Sequence, residues 1–215
     1  MVHADPDVAH QFNDAVQQRE AATFGMWLFL ATEVLFFGGL FLAYTVYRYS
    51  YPEAFRHASS HTLVVVGTIN TAILLISSFC MVLAVQAAEQ TKRFALFSWL
   101  TATAVLGVLF LVIKGFEYHH EIQQGLFPGP NFHFEGPDRP QAKLFFCLYF
   151  VMTGIHALHV IIGIFLIGTY AVWALYARRL EPLRTSVDLL GLYWHFVDIV
   201  WVFLFPLIYL IGRHA

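Results

Sequence analysis

Residues 24–47 read FGMWLFLATEVLFFGGLFLAYTVY, an apolar run with one charged side chain, Glu33. A helix crosses the roughly 30 Å of bilayer hydrocarbon with about 20 predominantly apolar residues at 1.5 Å rise each. Four more runs qualify, at 62–86, 94–116, 144–176 and 189–211. The fourth is longer than the bilayer requires and is expected to tilt or to project into water. The fold class is therefore all-α, an integral membrane bundle of five transmembrane helices over 24–215 behind a polar N-terminal tail, 1–23.

Composition points the same way. Hydrophobic residues make up 59% of the 215 and charged ones 12%, against about 45–50% and about 25% in soluble domains. A formal charge of −2 leaves no basic stripe for phosphates, which excludes nucleic acid as a partner. Cys80 and Cys147 fall inside apolar runs and are too few for a metal cage. The tail carries Asp5, Asp7, Asp14 and Glu20 and lacks the basic start and apolar core of a cleaved signal, so it is expected to lie along the membrane surface ahead of a retained first helix.

Of the connections only 117–143 is long, and Pro128, Pro130, Pro137 and Pro140 with Gly125, Gly129 and Gly136 exclude regular structure through its middle. Five spans put the termini on opposite sides. Lys and Arg tie between those sides, but Arg19, Lys92, Arg93, Arg178, Arg179 and Arg184 crowd two short links and the tail, whereas Arg48, Arg56, Lys114, Arg139, Lys143 and Arg213 spread over longer loops. Density places the N-terminus inside.

A carboxyl at the depth of Glu33 costs about 2.5–3.5 kcal/mol unless it faces protein or water, is paired or stays protonated. It is either a neutral, hydrogen-bonded carboxyl that fixes helix packing or a site that contacts lipid or handles protons. His156 and His159, three apart, share one helix face. His195 and Asp198 repeat that spacing between Trp194 and Trp201. These polar side chains with Glu33 make up the expected buried ionisable inventory, and pairing between helices is its simplest account, Glu33 meeting the face of His156 and His159. His119, His120 and His133 fall on the long loop, where solvation is the default.

A b-type haem between His156 or His159 and His195 is arithmetically open, but the chain lacks the paired histidines about 13–14 apart that two-haem bundles use. Zinc or copper would need ligands clustered more closely. In the second span Gly67, Asn70, Thr71, Leu74, Ser77 and Ser78 fall on one side, a close-packing face, and Gly154, Gly163 and Gly168 in the fourth receive the same reading. No phosphate loop, nucleophile with a base or carboxylate cluster is present, so no catalytic, cofactor or metal residue is expected and the chain catalyses nothing alone.

Five stretches, in order, resemble the subunit III family of haem–copper oxidases and cover nearly the whole chain after the tail. They are Gly25-Met26-Trp27-Leu28-Phe29-Leu30 through Glu33-Val34-Leu35-Phe36-Phe37-Gly38, Asn70-Thr71-Ala72-Ile73-Leu74, Lys114-Gly115-Phe116-Glu117-Tyr118, Thr153-Gly154-Ile155-His156-Ala157-Leu158-His159-Val160, and Tyr193-Trp194-His195-Phe196-Val197-Asp198-Ile199-Val200-Trp201. The chain looks like the short bacterial form, without the two helices that in the long form border a lipid-holding cleft.

The resemblance implies a non-catalytic subunit III of a bacterial cytochrome c oxidase in aerobic respiration. It would hold no haem or copper itself, these residing in partner subunits. It would pack on the catalytic haem–copper subunit I beside subunit II and further respiratory-complex subunits, and support proton uptake and durability in turnover. Glu33 matches the family's buried carboxyl, and bound phospholipid is compatible with this reading. The implied place is the bacterial inner (plasma) membrane, N-terminus cytoplasmic and C-terminus periplasmic. Phe196-Val197-Asp198 looks more like cytochrome c oxidases than quinol oxidases. The alternatives are a five-helix accessory subunit of a nitric oxide reductase or a quinol oxidase and, outside the family, an autonomous b-type membrane cytochrome or a small transporter using Glu33 and Asp198.

Overall fold

A computed structural model describes residues 11–60, 62–130, 132–134, 138–177 and 179–210. The chain forms α1 (Ala15–Ser50), α2 (Pro52–Ser60), α3 (Val64–Glu89), α4 (Arg93–Gln123), α5 (Arg139–Tyr176) and α6 (Glu181–Phe205), the last running on into a π-helical turn, Pro206–Leu210. Five helices are long and apolar enough to cross a membrane, and no strand forms among the described residues.

Helices outrun the apolar runs because the i to i−4 ladder continues wherever polar side chains reach water. α1 begins at Ala15, inside the stretch read as tail, capped by the Asp14 carboxyl, which accepts from the Gln17 backbone N–H at 2.7 Å. α4 continues to Gln123 and α5 starts at Arg139, so the long connection shrinks from both ends. His119 and His120 therefore sit on the last turns of α4, exposed, beside Gln123 and Gln124 at 2.9 and 3.0 Å. α4 ends in a Schellman motif: Leu126 N–H donates to the Glu121 carbonyl and Gly125 N–H to that of Ile122, both at 3.0 Å, with Gly125 at φ 75°. The short α2, unforeseen from hydropathy, buries Ala54, Phe55 and Ala58 and turns Glu53 and Arg56 to solvent as a 2.8 Å ion pair.

α3, α4, α5 and α6 close a ring of four, each packed on two neighbours, while α1 leans on α5, α6 and α2 from outside. Only Leu30, Phe37 and Tyr44 of α1 are buried, a seven-residue repeat that gives one narrow seam. The rest of α1 exposes Phe24, Leu28, Leu35 and Leu42, a surface suited to lipid. Small residues admit the closest contacts: a β-carbon at Gly67 would lie 2.9 Å from the Phe205 ring and one at Gly107 2.8 Å from Trp194. Gly163 behaves likewise, but Gly154 has only the Tyr118 hydroxyl at 3.9 Å, and Gly168 has nothing within 4 Å. The close-packing reading therefore fails for Gly168 and is marginal for Gly154, because both turn away from the Trp194 contact.

Candidate functional site

The seam where α1 meets α5 and α6 opens into a cleft of about 660 Å³. Met26, Phe29, Leu158, Ile162, Leu189 and Tyr193 give it apolar and aromatic walls, and Glu33 and His159 are its ionisable lining residues. Glu33 Oε2 lies 3.2 Å from His159 Nε2, both side chains being mostly buried. His159 Nδ1 lies 2.9 Å from the Ile155 carbonyl oxygen. A carbonyl can only accept, so Nδ1 carries a proton. Nε2 is then the nitrogen that faces Glu33, within ion-pair distance though outside hydrogen-bond geometry. The Tyr193 hydroxyl fixes the same turn from α6, donating to the His159 carbonyl at 3.0 Å.

The expected union of Glu33 with both histidines is corrected by His156. A three-residue step leaves neighbours some 60° apart around a helix of 3.6 residues per turn, enough to send His159 to α1 and His156 into the ring of four. His156 is buried, its ring 5.6 Å from that of Phe110 and 5.1 Å from that of Trp201, and neither ring nitrogen has a hydrogen-bond partner among the described residues.

On α6, His195 Nδ1 lies 2.7 Å from the Ser78 hydroxyl of α3. Trp194 Nε1 donates to Ser77 at 3.1 Å and Trp201 Nε1 to Thr71 at 3.0 Å, so the hydroxyl face of α3 receives α6 turn by turn. Asp198, between them, is buried with neither carboxyl oxygen hydrogen-bonded among the described residues. His159, His195 and His156 thus occupy three separate environments. Among the described residues no group of three or more His, Cys, Asp or Glu side chains could hold a metal ion.

The buried ionisable inventory is larger than the sequence reading allows. Lys114, Glu117 and Glu121 are respectively 3%, 1% and 1% exposed. Lys114 Nζ donates to Glu117 Oε2 at 2.9 Å, to the Tyr149 hydroxyl at 2.8 Å and to the Tyr209 hydroxyl at 2.6 Å, which uses all of its protons. Tyr209 passes its own proton to Glu117 Oε1 at 2.6 Å. The rings of Tyr149, Tyr118, Tyr209 and Trp201 stand 4.6, 5.1, 5.3 and 5.6 Å from Nζ and complete an aromatic cage. Hydropathy counts Lys114 with the outer-side charges and Glu117 as the start of a loop. The signal that finds them is the spacing 114, 117, 121, one stripe of a helix that does not stop at residue 116.

The family model described as cytochrome c oxidase subunit III matches residues 4–213. A cytochrome c oxidase subunit 3 of Synechocystis is 35% identical over 87% of this chain and 75% of its own length. A cytochrome bo(3) ubiquinol oxidase subunit 3 of Pseudomonas aeruginosa is 31% identical over 96% of this chain and 92% of its own. A haem–copper oxidase subunit I+III of Aeropyrum pernix is 34% identical over 86% of this chain, a match that fills 22% of that longer protein. A match across nearly the whole chain, on a bundle of membrane-spanning helices, places the chain in the cytochrome c oxidase subunit III family.

Proposed function

We propose that the chain is the third, non-catalytic subunit of a bacterial haem–copper oxidase that takes electrons from cytochrome c. It packs on catalytic subunit I, beside subunit II, in the inner membrane with its N-terminus in the cytoplasm. The Aeropyrum relative, which carries subunits I and III in one chain by its name, supports direct apposition to subunit I. Lys and Arg density in the short links supports the orientation. The Pseudomonas relative favours one second reading, the same role in a quinol oxidase.

The observation that carries the proposal beyond the family is the cleft. Its walls accept acyl chains, and its polar pair, Glu33 with His159, sits inside a span where an isolated charge is costly. A phospholipid in this groove would complete the surface α1 leaves open and stiffen the bundle against subunit I. Glu33 with His159 and His195 with Ser78 then act as polar anchors of a scaffold that sustains proton uptake nearby, with His156 and Asp198 enclosed in its core, while haem and copper stay in the partners.

The test removes the chain from the purified complex. The haem spectrum and initial oxygen consumption at acidic pH should survive, while activity should fall faster as pH rises and decay sooner in sustained turnover. Loss of haem absorbance on removal would mean a ligand role. Identical pH profiles and lifetimes would end the proton-support reading. Reduced cytochrome c and quinol, offered separately to the intact complex, decide the donor.

A further inference from the structure

The Lys114 cluster stands apart from the cleft and from everything the proposed function uses. It holds one ammonium and two carboxyl groups, none more than 3% exposed. The carboxyls are not equivalent. Glu117 receives Lys114 Nζ on one oxygen and the Tyr209 hydroxyl on the other, the environment of a carboxylate. Glu121, one turn on, has neither oxygen in hydrogen-bond geometry among the described residues, its contact with the Tyr149 hydroxyl falling short of it. With the single cation already matched by Glu117, an ionised Glu121 would be a second buried negative charge with no cation of its own, an arrangement that is costly at this burial.

We propose that Glu121 is a proton-binding site, its carboxyl held as the neutral acid beside the Lys114–Glu117 pair so that the buried cluster carries no net charge. The ligand is a proton, and its source is the aqueous phase at the C-terminal end of α4, where His119 and His120 are exposed on the same turns. The titratable and charged side chains that face Glu121 and its partners are Lys114, Glu117 and Tyr118 of α4, Tyr149 of α5 and Tyr209 of the terminal turn, with the His156 imidazole of α5 on the far side of Lys114. Thr153 closes it on α5 by its hydrogen bond with Tyr118. Lys114 supplies the one permanent cation of this group, and among the described residues no second lysine or arginine joins it to take the place of the proton.

The experiment uses the full chain purified in detergent with the subunits that accompany it, and follows its thermal midpoint. Glu121→Gln copies the shape and neutrality of the acid and, with no carboxyl to ionise on unfolding, should match the parent's midpoint at acidic pH and equal or exceed it at neutral pH. Glu117→Gln strands Lys114 and should lower it on the order of ten degrees. The parent should lose stability as pH rises from the ordinary carboxyl range through neutrality, where only the unfolded chain gives up the proton, and the loss should level off once the folded site ionises too; the Glu121→Gln variant should not follow. Equal losses in Glu121→Gln and Glu117→Gln would overturn the proposal, because Glu121 would then be an ionised partner of Lys114. A parent midpoint that rises when sodium replaces choline at fixed ionic strength would overturn it too, in favour of a bound metal cation. Should the Glu121→Gln variant not assemble, Lys114→Met is compared with Lys114→Met/Glu117→Gln. The double variant should recover most of the loss if Glu121 is neutral, and none of it if Glu121 is a carboxylate left unpaired.

Discussion

A β-carbon added to Gly163 would stand 2.8 Å from the ring of Trp194, closer than side-chain carbons sit. A β-carbon at Gly107 of α4 would likewise lie 2.8 Å from this ring, so Trp194 is wedged between two helices that can come together only because both are bare there. Gly163→Ala forces either the indole or α5 to move, an overpacking that costs about 1–3 kcal/mol. Gly168→Ala, five residues along the same helix, meets nothing within 4 Å and should be neutral or gain up to about 1 kcal/mol from helix propensity. Denaturation midpoints of the two variants in detergent check the contrast.

Tyr209 Oη is the hinge of the Lys114 network, accepting from Nζ and donating to Glu117. Tyr209→Phe keeps the ring and removes both bonds, leaving a buried carboxylate oxygen and an ammonium proton unpaired, which costs about 1–3 kcal/mol. Tyr44→Phe loses one bond, that to the Leu207 carbonyl at 2.7 Å, and should cost about 1 kcal/mol. A Tyr209→Phe loss no larger than that of Tyr44→Phe would mean that water takes over both roles.

The helices were legible in the sequence because lipid demands an apolar run, and residues 24–47 meet that demand with one exception. Their ends were not, since residues 15–24 and 116–123 stay helical on backbone hydrogen bonds that hydropathy does not register. Glu33 with His159 was legible as a polar need on each helix, but the choice between His156 and His159 depends on the rotation of α5 against α1, which spacing alone leaves open. Lys114 was hidden by its position. A lysine at the end of an apolar run reads as snorkelling to water, and only the closure of Tyr149 and Tyr209 over it turns it inward.

Asp198 lies inside the bundle at 4% exposure, so its carboxyl faces helices of this chain and not a neighbouring subunit. Neither of its oxygens is in hydrogen-bond geometry among the described residues, since the Ser78 hydroxyl beside it is engaged with His195 Nδ1. Replacing an unsatisfied buried polar group by an apolar one of similar volume is close to neutral or stabilising. Asp198→Leu should therefore leave co-purification with the other subunits intact and the midpoint within about 1 kcal/mol of the parent. A dissociated complex would show that Asp198 reaches across an interface after all.

Glu33 and His159 offer the sharpest test of how a polar pair is held inside a span. His159 spends its Nδ1 proton on the Ile155 carbonyl, which leaves Nε2 facing Oε2 at 3.2 Å, near enough for a proton to bridge them after a small adjustment of geometry. If the bridge is a neutral acid facing a neutral imidazole, Glu33→Gln replaces the O–H donor with an N–H donor and the contact survives, at a change below about 1 kcal/mol. If it is an ion pair, Glu33→Gln strands a buried imidazolium, which must then shed its proton, and the loss is that of a broken buried pair, about 3–5 kcal/mol. Expense of charge at this depth selects the first outcome. Glu33→Leu with His159→Leu completes a double-mutant cycle, in which contacting residues couple by about 0.5–3 kcal/mol. Phospholipid retained per chain, measured on the same preparations, separates the pair's two duties. Glu33→Gln should keep both midpoint and lipid, whereas Glu33→Leu should lower the midpoint through the unpartnered His159 nitrogen while the apolar walls of the cleft still hold acyl chains. Loss of lipid in Glu33→Gln with an unchanged midpoint would assign the carboxyl to the lipid and not to the helix contact.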